Sequence, residues 1–295
     1  MKNILLLLFI TISIMVLLAG CSKSSNPAPP PPPNPPNQDK CVVTKVASHD
    51  IRVHAPYKLL TFDNDGNLKM IKTFDHGGIL LDSTIINVSI VTLFRRDGSA
   101  VRTEYFTDLN RNERANLFTG LPNAARVYVK LPSPNPGSID PPFTLYLHYL
   151  FTYNTRKKLV KVGIDHEIGH DFALTISYDD KSNVKSFFYE RTTGPRDPIP
   201  SIESTSYDDK PTPFGSIKSW VFLMNYSFEA SDVEPLFMAL SNNNPLNYNH
   251  KTTPEFTRTA TYQYNEKGFP IERVLADKLG TSLVSYKESF EYNCK

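Results

Sequence analysis

Residues 173–189 read ALTISY, then DDKSN, then VKSFFY, and this stretch decides the fold. Two runs rich in β-branched and aromatic residues flank five polar residues, a pattern typical of two strands joined by a tight turn. Asp179 and Asn183 suit such a turn because their short side chains accept hydrogen bonds from nearby backbone N–H groups. The stretch therefore predicts a β-hairpin.

The same order of strand, polar turn and strand occurs five times. The predicted strand pairs are 57–62 with 68–74, 89–94 with 100–106, 148–153 with 159–164, 173–178 with 184–189, and 259–264 with 269–274. A hairpin alone is only marginally stable, so we expect these hairpins to pair edge to edge. The predicted fold class is mainly β: an antiparallel sheet of consecutive hairpins, curled or barrel-like, with one or two short helices.

The hairpin pattern lapses between Gly194 and Thr257, where prolines are frequent. Inside this excursion Ser231 can cap a short helix over residues 232–240, which has Leu236, Phe237 and Leu240 on one side. A second helical turn is predicted at residues 112–118. A first strand at 41–46 and a last strand at 283–292 complete the predicted sheet.

The chain begins like an exported precursor. Lys2 precedes an apolar run over residues 4–18, and Leu18-Ala19-Gly20-Cys21 resembles the lipobox of bacterial lipoproteins. We expect residues 1–20 to be a signal peptide and Cys21 to carry the lipid. The alternative is an uncleaved membrane anchor, which is disfavoured because a spanning helix needs about 20 apolar residues.

The segment after the lipidated cysteine reads as a spacer. Eight of the ten residues from Pro27 to Pro36 are proline, which favours an extended polyproline conformation of about 3.1 Å per residue. Residues 21–38 are thus a lipidated tether, and residues 39–295 are the β-rich domain. By resemblance to lipoprotein sorting rules, Ser22 indicates the outer membrane. The lack of acidic residues at 22–25 favours a periplasm-facing protein, with surface exposure as the alternative.

The net charge limits the classes of binding partner, and the cysteine content predicts a disulfide. The formal net charge is +2 and no basic stripe stands out, which argues against nucleic acid as a partner. With Cys21 assigned to lipid, Cys41 and Cys294 remain at the two ends of the predicted domain. We expect them to form a disulfide, because the cell envelope is oxidising and the ends of a compact domain often lie close together.

Several short motifs resemble a known protein family. They are Tyr207-Asp208-Asp209-Lys210-Pro211, Ser241-Asn242-Asn243-Asn244-Pro245, Tyr262-Gln263-Tyr264-Asn265-Glu266-Lys267-Gly268 and Tyr292-Asn293-Cys294. Together they resemble a family of Bacteroidota envelope lipoproteins of unknown function. The aromatic-Asp turns are also similar to the YD-type repeats of large secreted toxins and adhesins. The resemblance implies a β-rich envelope lipoprotein and no particular activity.

One motif could carry catalysis. His166-Glu167-Ile168-Gly169-His170 matches H-E-x-x-H, in which two histidines on a helix bind zinc and the glutamate activates a water. However, the hairpin pattern claims 159–164 and 173–178 as strands. Ala173 and Ile176 also stand where a metzincin would continue with glycine and histidine. We therefore predict a loop at 166–170 and expect no metal or cofactor; zinc belongs only to the alternative interpretation.

These patterns favour an outer-membrane-anchored lipoprotein that acts as a binding or structural module of the cell envelope, and they favour this role over an enzymatic one. The membrane is its partner through the lipid anchor, and a protein, glycan or lipid ligand stays open. One alternative is a zinc metallopeptidase using His166, His170 and Glu167. Another is a carrier of lipid or glycan inside the curled sheet, which a deep apolar cavity would favour.

The lipid assignment gives the first testable prediction. We expect Cys21→Ser to move the protein from the membrane fraction to the soluble fraction, because lipid supplies the anchor. Fractionation of cells that express either form measures this. An unchanged membrane fraction for the variant would contradict the assignment.

Overall fold

The computed structural model describes residues 41–48, 57–132, 141–166, 171–193, 202–215, 217, 234–251 and 254–294. Residues 39–295 form one compact unit. The strands are β1 (Cys41–Ser48), β2 (Tyr57–Phe62), β3 (Leu68–Phe74), β4 (Leu80–Ile86), β5 (Ile90–Arg95), β6 (Ala100–Phe106), β7 (Ala124–Lys130), β8 (Thr144–Tyr153), β9 (Leu159–His166), β10 (Phe172–Tyr178), β11 (Val184–Arg191), β12 (Ile202–Glu203), β13 (Tyr207–Pro211), β14 (Asn243–Pro245), β15 (Asn247–His250), β16 (Phe256–Tyr264), β17 (Pro270–Leu279) and β18 (Ser282–Cys294). One helix, α1 (Glu234–Leu240), lies between β13 and β14.

Sixteen of these strands form a closed antiparallel barrel, and β13 and β14 pair separately. The mainly β prediction of consecutive hairpins is confirmed. Each barrel strand except β12 and β15 pairs with its neighbours in the sequence, and β1 closes the barrel by pairing with both β2 and β18. Cys41 lies opposite Cys294 in that last pairing, and the two form the predicted disulfide.

Turn chemistry explains why the hairpins form where the sequence predicts them. Asp63, Asn154, Asp179 and Asn265 each accept a hydrogen bond on the side-chain Oδ1 from the backbone N–H four residues later, at 2.7–3.0 Å. The third residue after each of them has a positive φ, between 60° and 81°. Glycine adopts this conformation at least cost, and Gly66 and Gly268 occupy it in two of the four turns.

Tyrosines fasten these turns to the strand before them. Tyr178, the last residue of β10, donates its hydroxyl to the carbonyl of Leu159 at the start of β9, at 2.8 Å. Tyr292 donates in the same way to Pro270 at the start of β17, at 2.7 Å. Burial raises the pKa of both phenols well above the usual value. These two hydroxyls therefore help to hold the register of β10 beside β9 and of β18 beside β17.

The antiparallel order gives the barrel two ends. The disulfide end carries Cys41, Cys294 and the four turns just described. The far end carries the turns at 75–79, 96–98 and 280–281, and there the chain passes between β9 and β10.

The barrel wall is apolar on its inner face. Along β8 to β10 the inward positions are Leu147, Tyr149, Phe151, Val162, Ile164, Leu174 and Ile176, all at most 8% exposed. The outward positions of β16 to β18 include Thr257, Thr259, Thr261, Gln263, Glu272, Lys278, Ser285 and Lys287. On β2 to β5 the exposed Leu59, Ile85 and Phe94 are separated by Lys72, Ser83 and Thr92. The outer face of these strands therefore combines polar side chains with single exposed apolar ones.

Helix α1, in the excursion after β12, packs against the inner wall of the barrel. Residues 236–240 of α1 are all at most 7% exposed, as expected of a helix that is enclosed on every side. The Phe237 ring packs edge-on against Phe187 of β11 and Tyr248 of β15, at centroid distances of 4.6 and 5.3 Å. Because both partners point inward, the helix lies against the inner wall.

The second predicted helical turn, at 112–118, is wrong. The backbone of this segment pairs with the barrel instead: Ala115 N–H donates to the Tyr105 carbonyl and Leu117 N–H to the Val88 carbonyl. Asp108 caps the segment by accepting from the N–H groups of Asn112 and Glu113 at 2.9 Å. These partners replace the hydrogen bonds that a helix would make.

The enclosed helix yields a stability prediction. We expect Phe237→Ala to cost about 3–5 kcal/mol of unfolding free energy, because it leaves a cavity in a packed interior. The matched control is Phe188→Ala on the outer face of β11, where the ring is 49% exposed, with a change within about 0.5 kcal/mol. Urea unfolding measures both variants. Equal losses would contradict the placement of α1 inside the barrel.

Candidate functional site

The residues singled out in the sequence fall in three places. Cys21 and Glu167 to His170 lie outside the described residues. Cys41 and Cys294 form the disulfide. His166 is the last residue of β9 and lies opposite Leu147 of β8.

His166 was predicted to begin a loop, but it belongs to β9; the rest of the predicted loop, 167–170, lies outside the described residues. β9 continues past Ile164 because Asp165 and His166 still pair with His148 and Leu147 of β8. The backbone is extended up to His166 and again from Phe172, where β10 begins. In the described residues no three His, Cys, Asp or Glu side chains converge as a metal site would require.

The far end of the barrel gathers a set of functional side chains that no sequence motif predicts. We call them the far-end rim: Phe172, Tyr189, Arg191, His250, Phe256, Arg258, Asp277 and Tyr286. All eight are half-buried and occupy inward positions of β10, β11 and β15 to β18. One step deeper, the inward Leu174, Phe187, Tyr248, Ala260 and Leu275 are all buried. The rim is thus the edge at which the closed interior meets solvent.

One part of the rim is an aromatic pair with a cation. Phe172 and Tyr189 stack with centroids 5.0 Å apart and an interplanar angle of 12°. The Arg191 guanidinium lies 5.6 Å from the Phe172 ring centre, within the range of a cation–π contact. This arrangement offers an apolar ring face next to a group of hydrogen-bond donors.

The other part is an ion pair held between rings. Arg258 donates two hydrogen bonds to Asp277, Nε to Oδ1 at 2.5 Å and Nη2 to Oδ2 at 2.7 Å. Its guanidinium lies 5.7 Å from the Phe256 ring and 5.4 Å from the Tyr286 ring. Two parallel bonds of this kind fix the plane of the guanidinium. The pair is therefore a rigid polar element on an aromatic wall.

His250 adds a titratable group to this wall. Its ring packs edge-on against Phe256 at 4.8 Å. Burial is the main cause that lowers the pKa of His250, and the Arg258 charge lowers it further, while Asp277 acts in the opposite sense. The neutral imidazole, which can both donate and accept a hydrogen bond, is therefore favoured.

The interior directly below the rim is closed by apolar side chains. Phe187 and Tyr248, two residues before Tyr189 and His250 in their strands, both pack against Phe237 of α1. Below Tyr189 and His250, the rim therefore borders α1.

A shallower groove lies at the disulfide end. It has a volume of about 480 Å³ and is lined by the turns at 154–158 and 179–183 together with Ile176 and Tyr178. Lys158 donates from Nζ to Asn242 Oδ1 at 3.0 Å, and burial lowers its pKa. The groove contains mainly turn residues whose polar groups serve the hairpins, so we favour the rim as the functional site.

No family model and no curated relative matches this chain. Among solved structures, it is similar to a porin-like protein from Bacteroides uniformis, with a TM-score of 0.52 and 13% identity over 85% of this chain and 96% of that chain. A porin-like protein from Bacteroides vulgatus has a TM-score of 0.48 and 13% identity over 86% of this chain and 99% of that chain. The first likeness shows a shared barrel fold.

The H-E-x-x-H segment gives a prediction of its own. We expect the purified protein to hold much less than one zinc per chain and to show no proteolysis that depends on Glu167, because an extended backbone at His166 departs from the helix that this motif requires. Elemental analysis and a peptidase assay of wild type and Glu167→Ala measure this. One zinc per chain with activity lost in the variant would establish the peptidase instead.

Proposed function

We propose that this protein is an outer-membrane lipoprotein, anchored through Cys21, whose barrel stands in the aqueous space of the envelope and binds a ligand at the far-end rim. The periplasmic side is favoured by the sequence after Cys21. The proposal joins a sequence-based anchor to a barrel whose surfaces suit water.

The observation that carries this proposal is the polarity of the wall. A barrel that spans a membrane has an apolar outer band, and a charge at mid-bilayer on that face costs about 2–4 kcal/mol. Here Glu272, Lys278 and Lys287 occupy outward positions, while Leu275 and Phe290 point inward. Because the apolar side chains line the inside, water is the favoured surroundings of the outer wall.

The occupied interior favours a binding or structural module, and it disfavours a pore or a carrier. A barrel of sixteen strands is wide enough for a channel when its inside is polar and empty. Here α1 fills part of that space, and Phe214 from the same excursion packs on Phe290 of β18 at 6.3 Å. Inward side chains of β11, β15 and β18 that a carried lipid could contact are thus covered by the protein's own chain.

The positions of the two barrel ends indicate which end is free to bind a ligand. Any tether that precedes Cys41 reaches the barrel at the disulfide end, so the rim lies at the opposite end of the wall. Mouths of β-barrels are common ligand sites, and aromatic faces with a few fixed polar groups are typical of them. The rim offers both.

The test uses the Cys21→Ser protein beside the lipidated wild type. We expect the variant to purify without detergent as a folded monomer and to stay unbound in a vesicle flotation assay, since its outer wall is polar. Wild type should float with the vesicles through its lipid. Neither should release a dye enclosed in the vesicles. Dye release or ion conductance by the variant would overturn the proposal and establish a pore.

A further inference from the structure

The outer wall carries a cluster of arginines that the rim does not use. Arg102 of β6 and Arg126 of β7 occupy outward positions, and Arg111 and Arg114 reach the same face from the connection between these strands. The register places Arg102 opposite Tyr128, Glu104 opposite Arg126, and Arg126 opposite His148. We call the four arginines with Glu104 and His148 the arginine face.

Aromatic rings support these guanidinium groups. Arg102 lies 5.0 Å from the centre of the Tyr128 ring and 4.7 Å from that of Phe143. Arg114 and Arg126 share the Phe106 ring, at 5.7 and 5.3 Å. A cation–π contact occupies a face of the guanidinium and leaves its N–H edge available for hydrogen bonds. The rings therefore position donors without satisfying them.

The arginine face has more donors than acceptors. Glu104, which is 8% exposed, accepts from Arg114 Nη2 at 2.9 Å and lies 3.5 Å from Arg102 Nε. Arg111 contacts His148 Nδ1. Within the residues that the structure describes, no carboxylate pairs with Arg126. Arg102 and Arg114 therefore share one carboxylate, while the guanidinium of Arg126 keeps donors for a ligand.

We propose that the arginine face binds the oxyanions of an acidic polysaccharide, that is, carboxylate or phosphate groups repeated along a sugar chain. Guanidinium forks match such planar or tetrahedral groups with paired hydrogen bonds. Neighbouring outward positions on adjacent strands lie about 5 Å apart, which suits charges repeated along a polymer. The exposed parts of Tyr128 and Phe143 give sugar rings an apolar surface to lie on.

The choice of a polysaccharide rests on the proposed envelope function, whereas the anion site rests on the arginines alone. Nucleic acid is disfavoured because the whole chain has a net charge of only +2. A lipid surface is the competing partner, because Arg111 and Arg114 lie in the β6–β7 connection at the disulfide end; we favour the polysaccharide since Arg102 and Arg126 lie on the side wall.

The experiment measures binding of polygalacturonate to the Cys21→Ser protein by calorimetry at low salt, with neutral dextran in parallel. We expect binding to polygalacturonate and none to dextran. Arg126→Gln should weaken binding about tenfold, the effect of losing one charge-assisted hydrogen bond. Arg126→Lys should recover part of it, because it keeps the charge and loses the fork. Arg96→Gln, in the exposed turn between β5 and β6, is the charge-matched control and should change binding less than about twofold.

Two further probes identify the anion. Competition by inorganic phosphate supports phosphate groups as well as carboxylates, whereas its absence supports a carboxylate polymer. Circular dichroism and intact mass confirm that each variant is folded with its disulfide.

Equal binding to dextran, unchanged binding in Arg126→Gln, equal weakening in Arg96→Gln, or binding only to phosphatidylglycerol vesicles would each overturn the proposal. A soluble, non-conducting protein that ignores polygalacturonate would refute this inference and leave the proposed function standing.

Discussion

The pairing of β1 with β18 is the constraint on which the rest of the structure depends. An open sheet of this length would leave two edges of unpaired backbone groups, which favour aggregation with other chains. Closure removes both edges, and the Cys41–Cys294 disulfide fixes it covalently across a separation of 253 residues. Chain-entropy arithmetic gives such a loop about 5 kcal/mol as an upper figure. The barrel is therefore locked where its two terminal strands meet.

A closed barrel of sixteen strands has a wide interior, and this interior must be filled. Wall side chains alone fill a barrel of about eight strands. Here the excursion between β12 and β15 supplies the missing volume, which explains why α1 is buried on all sides. It also explains a buried cation: Arg273, 4% exposed, donates to Glu288 and to Met238 Sδ of α1. That contact ties the helix to the wall by a polar group whose charge is balanced.

Most strands of the barrel wall could be predicted from the sequence, whereas the residues of the far-end rim could not. The predicted hairpins are confirmed because each combines alternating strands with an Asp or Asn turn, and both act within about fifteen residues. β4 was not predicted although an Asp turn precedes it: Asp75 Oδ1 accepts from the Ile79 N–H, and Gly78 has a positive φ. β7 follows a long connection that carries no such turn signal. β12 and β15 are too short for a periodic signal, at two and four residues. Their pairing depends on neighbours distant in the sequence.

The far-end rim escapes sequence reasoning for a different reason. Phe172 and Tyr286 belong to the same edge only because six strands align their inward positions at one height. No local motif determines at which level along the barrel axis these residues lie. That level depends on the lengths of the turns and on the bulges in the strands. The H-E-x-x-H motif is the opposite case, because it is a local motif whose expected helix is not found at its start. Its first histidine, His166, lies in the strand β9.

Closure and filling together decide where a ligand can bind. Where α1 packs on Phe187 and Tyr248, the described interior is occupied, which leaves the ends and the outer wall as the main surfaces for binding groups. At the disulfide end, the polar groups of the turn residues and tyrosines form hydrogen bonds within and between the hairpins. Two regions then remain: the rim, where rings and an ion pair meet solvent, and the arginine face, where guanidinium groups exceed their partners. A barrel whose interior is filled by its own chain thus places recognition on its surface.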